Sequence, residues 1–370
     1  MNKINRLKEL DVLRAISFIF VVEQHTMGGY SRIDEISYSY FQIFKFFYTL
    51  AKPAAAAFLC ISAISLFYSY SKEFDWKKYY IKRITKVFIP YTLWSIIYLL
   101  VFGKYTNLID LFAQLLSGDA AYHLWYMAMI IRLYIYFPLI LFAAKKIHEQ
   151  NLILRILVFL TLVLSYYQVS KYQSLISNKF AHFIFNNPTK IQEKIINVSP
   201  LFWSLYFILG IYIALNYETF KKRILKFKVP VIFVYIGSFV YAYLNEMEKV
   251  EFSRGLSLLY FVFSILAWYI ISVSLSNKIK IYSFFNFISK YSFASYMYHI
   301  LVVGFVVNNV RIYLNLNDWL AIGLTTWMIT SILTPILIKI ISYIPYSEFI
   351  TGIKEKHHKD KFIGTYKAEL

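Results

Sequence analysis

The chain is 370 residues long, 59% hydrophobic and only 16% charged, with 34 Phe, 34 Tyr and 7 Trp. Soluble domains are about 45–50% apolar and about a quarter charged, so the composition excludes a soluble globular protein, and its wealth of aromatic and aliphatic residues excludes disorder. A net charge of +19 then reads as Lys- and Arg-rich cytoplasmic loops rather than as a nucleic-acid surface, and no nucleic-acid partner is expected.

Continuous apolar runs of about 20 residues predict membrane-spanning helices, whereas barrel strands would alternate in polarity. In chain order the spans fall near 9–28, 46–68, 87–102, 123–143, 156–170, 201–215, 229–244, 256–274, 293–310 and 319–342. The expected fold is all-α, a polytopic transmembrane bundle of about ten spans. The first span is no signal peptide, because it contains Arg14, Glu23 and His25 and no small-residue cleavage site follows it. Alternating loops, counted with the N-terminus, carry 25 Lys or Arg, and the opposite set carries 9, among them Arg32. That bias places both termini in the cytoplasm. Residues 1–343 form one membrane domain and 344–370 a short basic cytoplasmic tail. The long outer loop at 171–200 reads as a lid or a connector. The basic run at 221–228 reads as an anionic-lipid anchor. Cys60 is the only cysteine, so no disulfide is expected. No His-x-x-x-His pair occurs, His357 and His358 sit in the Lys-rich tail, and the glycines form no phosphate loop. Neither a metal nor a bound nucleotide cofactor is therefore expected.

Ionisable residues inside spans are costly and mark function. Arg14 and His25 are 11 residues apart, about three helical turns, which places them on one stripe with His25 at the outer end. The plainer alternative is an Arg reaching the headgroups and a His at the opposite interface. Glu23 points away from His25. Arg83 and Lys86, one turn apart at the cytoplasmic start of the third span, present two cations to one phosphate, or else are an ordinary basic flank. Arg132 should face the bundle interior, on the opposite helix face from His123. His123 and Trp125 lie at the outer end of the fourth span. Tyr296 and His299 pair on the cytoplasmic half of the ninth, as a structural hydrogen bond or a donor-site contact.

Five segments in order resemble the integral-membrane acyltransferase-3 family. They are ELDVLRAISFIFVV, ending three residues before His25; FLCISAISLF at 58–67; KRITKVFIPYTLW at 82–94; HLWYM at 123–127; and KYSFASYMYHILV at 290–302. The resemblance covers residues 8–310. It departs from the family pattern at Lys86, where the family has Arg, and at Ala63, where it has Gly. Lys keeps the charge without the bidentate fork. Ala63 adds a methyl where helices cross closely. The resemblance implies transfer of an acyl group from cytoplasmic acyl-CoA, acetyl-CoA first and succinyl-CoA second, to a hydroxyl of a cell-surface polysaccharide or its lipid-linked precursor. It also implies an enzyme without the extra-cytoplasmic hydrolase-like domain of some members, in the bacterial plasma membrane beside polysaccharide synthesis or export machinery.

The expected chemistry follows. His25 accepts the hydroxyl proton, because a side chain with pKa about 6.5 suits that task near neutrality, or it carries the acyl group. Arg14 orders the donor or compensates charge. Arg83, Lys86, Arg132, His123, Trp125, Tyr296 and His299 are the expected substrate contacts. The competing reading is a polysaccharide flippase or polymerase-like membrane protein. Such a protein has no use for the Arg14/His25 stripe, and its usual inverted repeats are absent here.

Overall fold

The computed structural model describes residues 7–30, 36–105, 107–313 and 318–353. Arg32, His357 and His358 lie outside them. Every regular element among the described residues is helical. In order these are α1 (Lys8–His25), α2 (Met27–Tyr30), α3 (Tyr38–Ala51), α4 (Ala54–Tyr70), α5 (Trp76–Arg83), α6 (Ile89–Val101), α7 (Leu108–Ser117), α8 (Trp125–His148) and α9 (Leu152–Lys171). They continue as α10 (Gln173–Phe185), α11 (Lys190–Asn197), α12 (Ser204–Leu215), α13 (Tyr217–Lys226), α14 (Lys228–Glu246), α15 (Arg254–Ser276), α16 (Ile279–Tyr313), α17 (Trp319–Ile341) and α18 (Glu348–Thr351).

Among the described residues, eight helices are long and apolar enough to cross a membrane. A ninth span results if Lys190–Asn197 and Pro200–Leu215, bent by 44°, are one broken helix. In that count α3 and α4 form one span, Tyr38–Tyr70, and α5 with α6 another, Trp76–Val101. The tenth expected span is α1. Its Lys8, Glu9, Asp11, Arg14 and Glu23 make it too charged to stand against lipid, and it does not: it packs among α3, α4, α15, α16 and α17. Burial among other helices is how a bilayer protein tolerates such residues.

Loops are set by ordinary caps. The Asn107, Asn151, Ser253 and Asp318 side chains accept from the third residue of the helix that each precedes, which satisfies otherwise orphaned donors. At Pro53 the missing N–H breaks the span before the Ala54–Ala57 run. Gly118 closes α7 with φ +68°, and a Cβ there would come within 2.5 Å of Trp125 Cα. The chain can therefore turn back directly into the segment that carries His123.

Contacts gather the basic stretches at one end of the bundle. Lys221 pairs with Glu9, Arg155 donates to Asn216 (3.1 Å), Tyr282 donates to Asp11 (3.1 Å) and Lys86 approaches Glu348 (3.9 Å). Lys52 with Glu246, Lys194 with Asp119 and Tyr40 with Asp318 meet at the opposite end. Within residues 344–353, α18 packs on α6, and Trp94 Nε1 donates to the Ile350 carbonyl (3.0 Å).

A candidate active site between the two ends

His25 is the last residue of α1. Its ring lies 5.3 Å from that of His299, 6.3 Å from His123 and 5.0 Å from Tyr122, while the His123 and His299 rings are 5.0 Å apart. The three histidines come from α1, from the segment leading into α8 and from the middle of α16. His123 and His299 are buried. Tyr296 and His299 lie near the middle of α16, His299 beside His25 and Tyr296 against the His123 ring. The helix α16 runs unbroken for 35 residues, about 50 Å, beside and parallel to α1. Asp11 meets Tyr282 and Ser289 near one end, and His25 meets His299 further along.

Two of these rings have defined tautomers. His299 Nδ1 lies 2.6 Å from the Tyr296 carbonyl oxygen, which can only accept, so Nδ1 carries the proton. His123 Nε2 faces the Met297 carbonyl at 3.4 Å, an oxygen that also accepts from the Tyr98 hydroxyl at 2.9 Å. His299 Nε2 and His123 Nδ1 are left as buried lone pairs with no hydrogen-bond partner among the described residues. A buried acceptor without a donor is costly, and a substrate hydroxyl would satisfy one. No group of three or more His, Cys, Asp or Glu among the described residues is arranged to hold a metal ion.

Toward the basic end lies a cavity of about 210 Å³ lined by Arg14, Arg83 and a row of serines. Ser62, Ser65 and Ser69 recur at i, i+3 and i+7 along α4, so they share one face. Arg14 Nη2 donates to Ser65 (3.0 Å) and Nη1 faces Asp11 (3.7 Å). The Arg83 guanidinium sits over Tyr134 (5.0 Å) and Tyr79 (5.2 Å). Tyr126, Tyr296 and Phe58 close the inner wall. The Tyr296 hydroxyl donates to the His123 carbonyl, and its ring lies 5.7 Å from both Tyr126 and His123. One layer of aromatic rings thus separates the guanidinium cavity from the histidines.

Three expected contacts lie elsewhere. Arg132 donates to the carbonyls of Ile195 (2.6 Å), Val198 (3.3 Å) and Leu116. It clamps the C-terminal ends of α7 and α11 to α8, a favourable place for a cation, rather than facing the cavity. Trp125 packs against Trp203, with ring centres 5.0 Å apart and the planes tilted by 35°. Lys86 turns toward Glu348 and does not share a face with Arg83, because Ile84–Phe88 is a π-helical turn, which rotates the chain less per residue than an α-helix. Sequence reasoning missed Asp11, Tyr122, Tyr126 and the serine row. Only the serine spacing was visible in advance, since the other residues acquire meaning through contacts between distant helices.

A family profile described as an acyltransferase domain, that of the acyltransferase-3 family, matches residues 7–343. No curated protein and no solved structure matches the chain. The matched region includes every helix that carries the histidine cluster and the guanidinium cavity, and the chain belongs to the acyltransferase-3 family, as a multi-pass membrane acyltransferase.

Proposed function

We propose that the protein is an O-acyltransferase of the bacterial plasma membrane. It moves an acetyl group, or less favourably a succinyl group, from cytoplasmic acyl-CoA to a hydroxyl of a cell-surface polysaccharide or its lipid-linked precursor. The observation that carries this reading is the stacking of two chemically different compartments: guanidinium groups toward the basic end, and imidazoles beyond one aromatic layer. Arg14 and Arg83 suit the anionic donor, with Lys86 on the same basic end. The serine row offers hydroxyls to the amides of its pantetheine arm.

In this reading the acceptor hydroxyl gives its proton to His25 as its oxygen attacks the thioester carbonyl. The tetrahedral intermediate collapses with C–S cleavage, and the proton passes from His25 to the departing CoA thiolate. His299 Nε2 and His123 Nδ1 accept hydrogen bonds from the acceptor's hydroxyls. Arg132 and Trp125 support the site by holding α7, α8 and α11 together. Polysaccharide synthesis or export proteins are the natural neighbours of such an enzyme.

The test uses purified protein in vesicles of known orientation, with radiolabelled acetyl-CoA and deacylated surface polysaccharide. Transfer should need acetyl-CoA on the face that carries the basic stretches, and His25→Ala should lower it about 10²–10⁴-fold. Equal transfer by His25→Ala, or from donor confined to the opposite face, would overturn the assignment.

A further inference from the structure

At the end of the bundle opposite the basic stretches, α10, α11 and the start of α15 enclose a second polar cleft of about 410 Å³. Every side chain that lines it is polar. On α10, Ser174, Ser177 and Asn178 share one face, and Gln173 precedes them. On α11, Glu193 and Asn197 are one turn apart, and Arg254 opens α15. The opposite face of α10 is built differently: Phe183 there is exposed and apolar. In a membrane protein, three helices that turn amides, a carboxylate and a guanidinium into one cleft are arranged for a hydrogen-bonding ligand. The volume lies in the range of about 300–1,000 Å³ that small-molecule sites occupy.

The chemistry of the lining narrows the ligand. Asn and Gln side chains both donate and accept, Glu193 only accepts, and Arg254 only donates. That mixture matches neighbouring hydroxyls, each of which also donates and accepts. A phosphate or carboxylate would instead meet the Glu193 charge, which has no ion-pair partner among the described residues. Arg254 is held in place over the Phe252 ring (4.9 Å).

The cleft is tied to the histidine cluster. Lys194, next to Glu193, pairs with Asp119, four residues before His123. Trp203, shortly after Asn197, packs against Trp125, two residues beyond His123. We infer that this cleft binds uncharged sugar units of the acceptor glycan, and so holds the chain while one of its hydroxyls reaches the histidines. The inference rests on the acyltransfer reading for its purpose, but not for the binding itself.

The experiment measures both. Surface polysaccharide from cells lacking the protein, deacylated with mild alkali and cut to short oligosaccharides, is titrated calorimetrically into the full-length protein in nanodiscs. The same probe then serves as acceptor with acetyl-CoA. Wild type should bind, and Glu193→Gln and Arg254→Ala should each weaken Kd about tenfold or more. The same variants should raise the acceptor KM by a similar factor. Lys179→Ala, on the exposed side of α10, should bind as wild type does, and size-exclusion profiles identify any variant that misfolds. Absence of binding by wild type, or unchanged Kd in both folded cleft variants, would overturn the site. Binding that depends on the cleft without acyl transfer would overturn the acyltransfer reading instead and leave the cleft standing. Transfer with unchanged acceptor KM in both variants would do the reverse.

Discussion

At His299 the backbone decides the chemistry of the ring: a carbonyl one turn back accepts a hydrogen bond from Nδ1–H and leaves Nε2 as the ring's lone pair, beside His25. The same logic operates at Arg14, which is oriented by two neighbours, Ser65 and Asp11. Asp11 is itself buried and accepts from Tyr282 (3.1 Å) and Ser289 (3.4 Å), so its carboxylate is held from α16. Asp11→Asn keeps the shape and removes the charge. It should lower kcat/KM for acyl-CoA about tenfold, about 1.4 kcal/mol of transition-state binding, with the deficit mostly in the donor KM. Initial-rate kinetics against acetyl-CoA concentration check this, and an unchanged donor KM would show that Arg14 needs no such guide. The Arg14/His25 stripe was legible because helical periodicity is local. Asp11 stood in the same stretch without a signal, because Tyr282 and Ser289, which hold it, are more than 250 residues away in sequence.

Helices α4 and α12 cross so closely that Gly210 has no room for a side chain. A Cβ there would sit 2.4 Å from the Cys60 carbonyl oxygen and 2.6 Å from Ala63 Cβ. The family pattern suggested a close crossing at Ala63, and the structure supplies it with the glycine on the other helix. Close approach of small residues is a main source of association between helices in lipid. Gly210→Ala should therefore destabilise the bundle by about 1–3 kcal/mol, the usual cost of overpacking. It should do so without touching any side chain of the cavity. Thermal unfolding in detergent, read alongside residual activity, distinguishes the two effects. At this scale the sequence disclosed helices well, because apolar length is a strong signal, and disclosed their interior turns poorly. Nothing in ITKVF marks a π-helical turn, and across that turn Arg83 meets Tyr79 and Tyr134 while Lys86 meets Glu348. The long α16 was read as a shorter span for a related reason. Its first turns are polar enough to look like loop, yet they continue the same helix.

For the molecule as a whole, charge bias foresaw which stretches would share an end, and the contacts among Glu9, Lys221, Arg155, Asn216, Lys86 and Glu348 bring those stretches together. What the bias did not foresee is how thin the partition between the two ends is. The guanidinium cavity and the histidine cluster are divided by Tyr126, Tyr296 and Phe58, with Tyr296 tied through its hydroxyl to the His123 backbone. On the proposed reading, in which one reactant enters from each side of the bilayer, these rings are the barrier between the two entrances. Replacing both tyrosines by alanine should let protons cross. In proteoliposomes loaded with a pH-sensitive dye, an imposed gradient should collapse several-fold faster with Tyr126→Ala/Tyr296→Ala than with wild type, whereas equal rates would place the seal elsewhere. On that reading the aromatic layer would have a second duty besides framing the substrates: it would keep an enzyme open to both sides of its membrane from leaking protons.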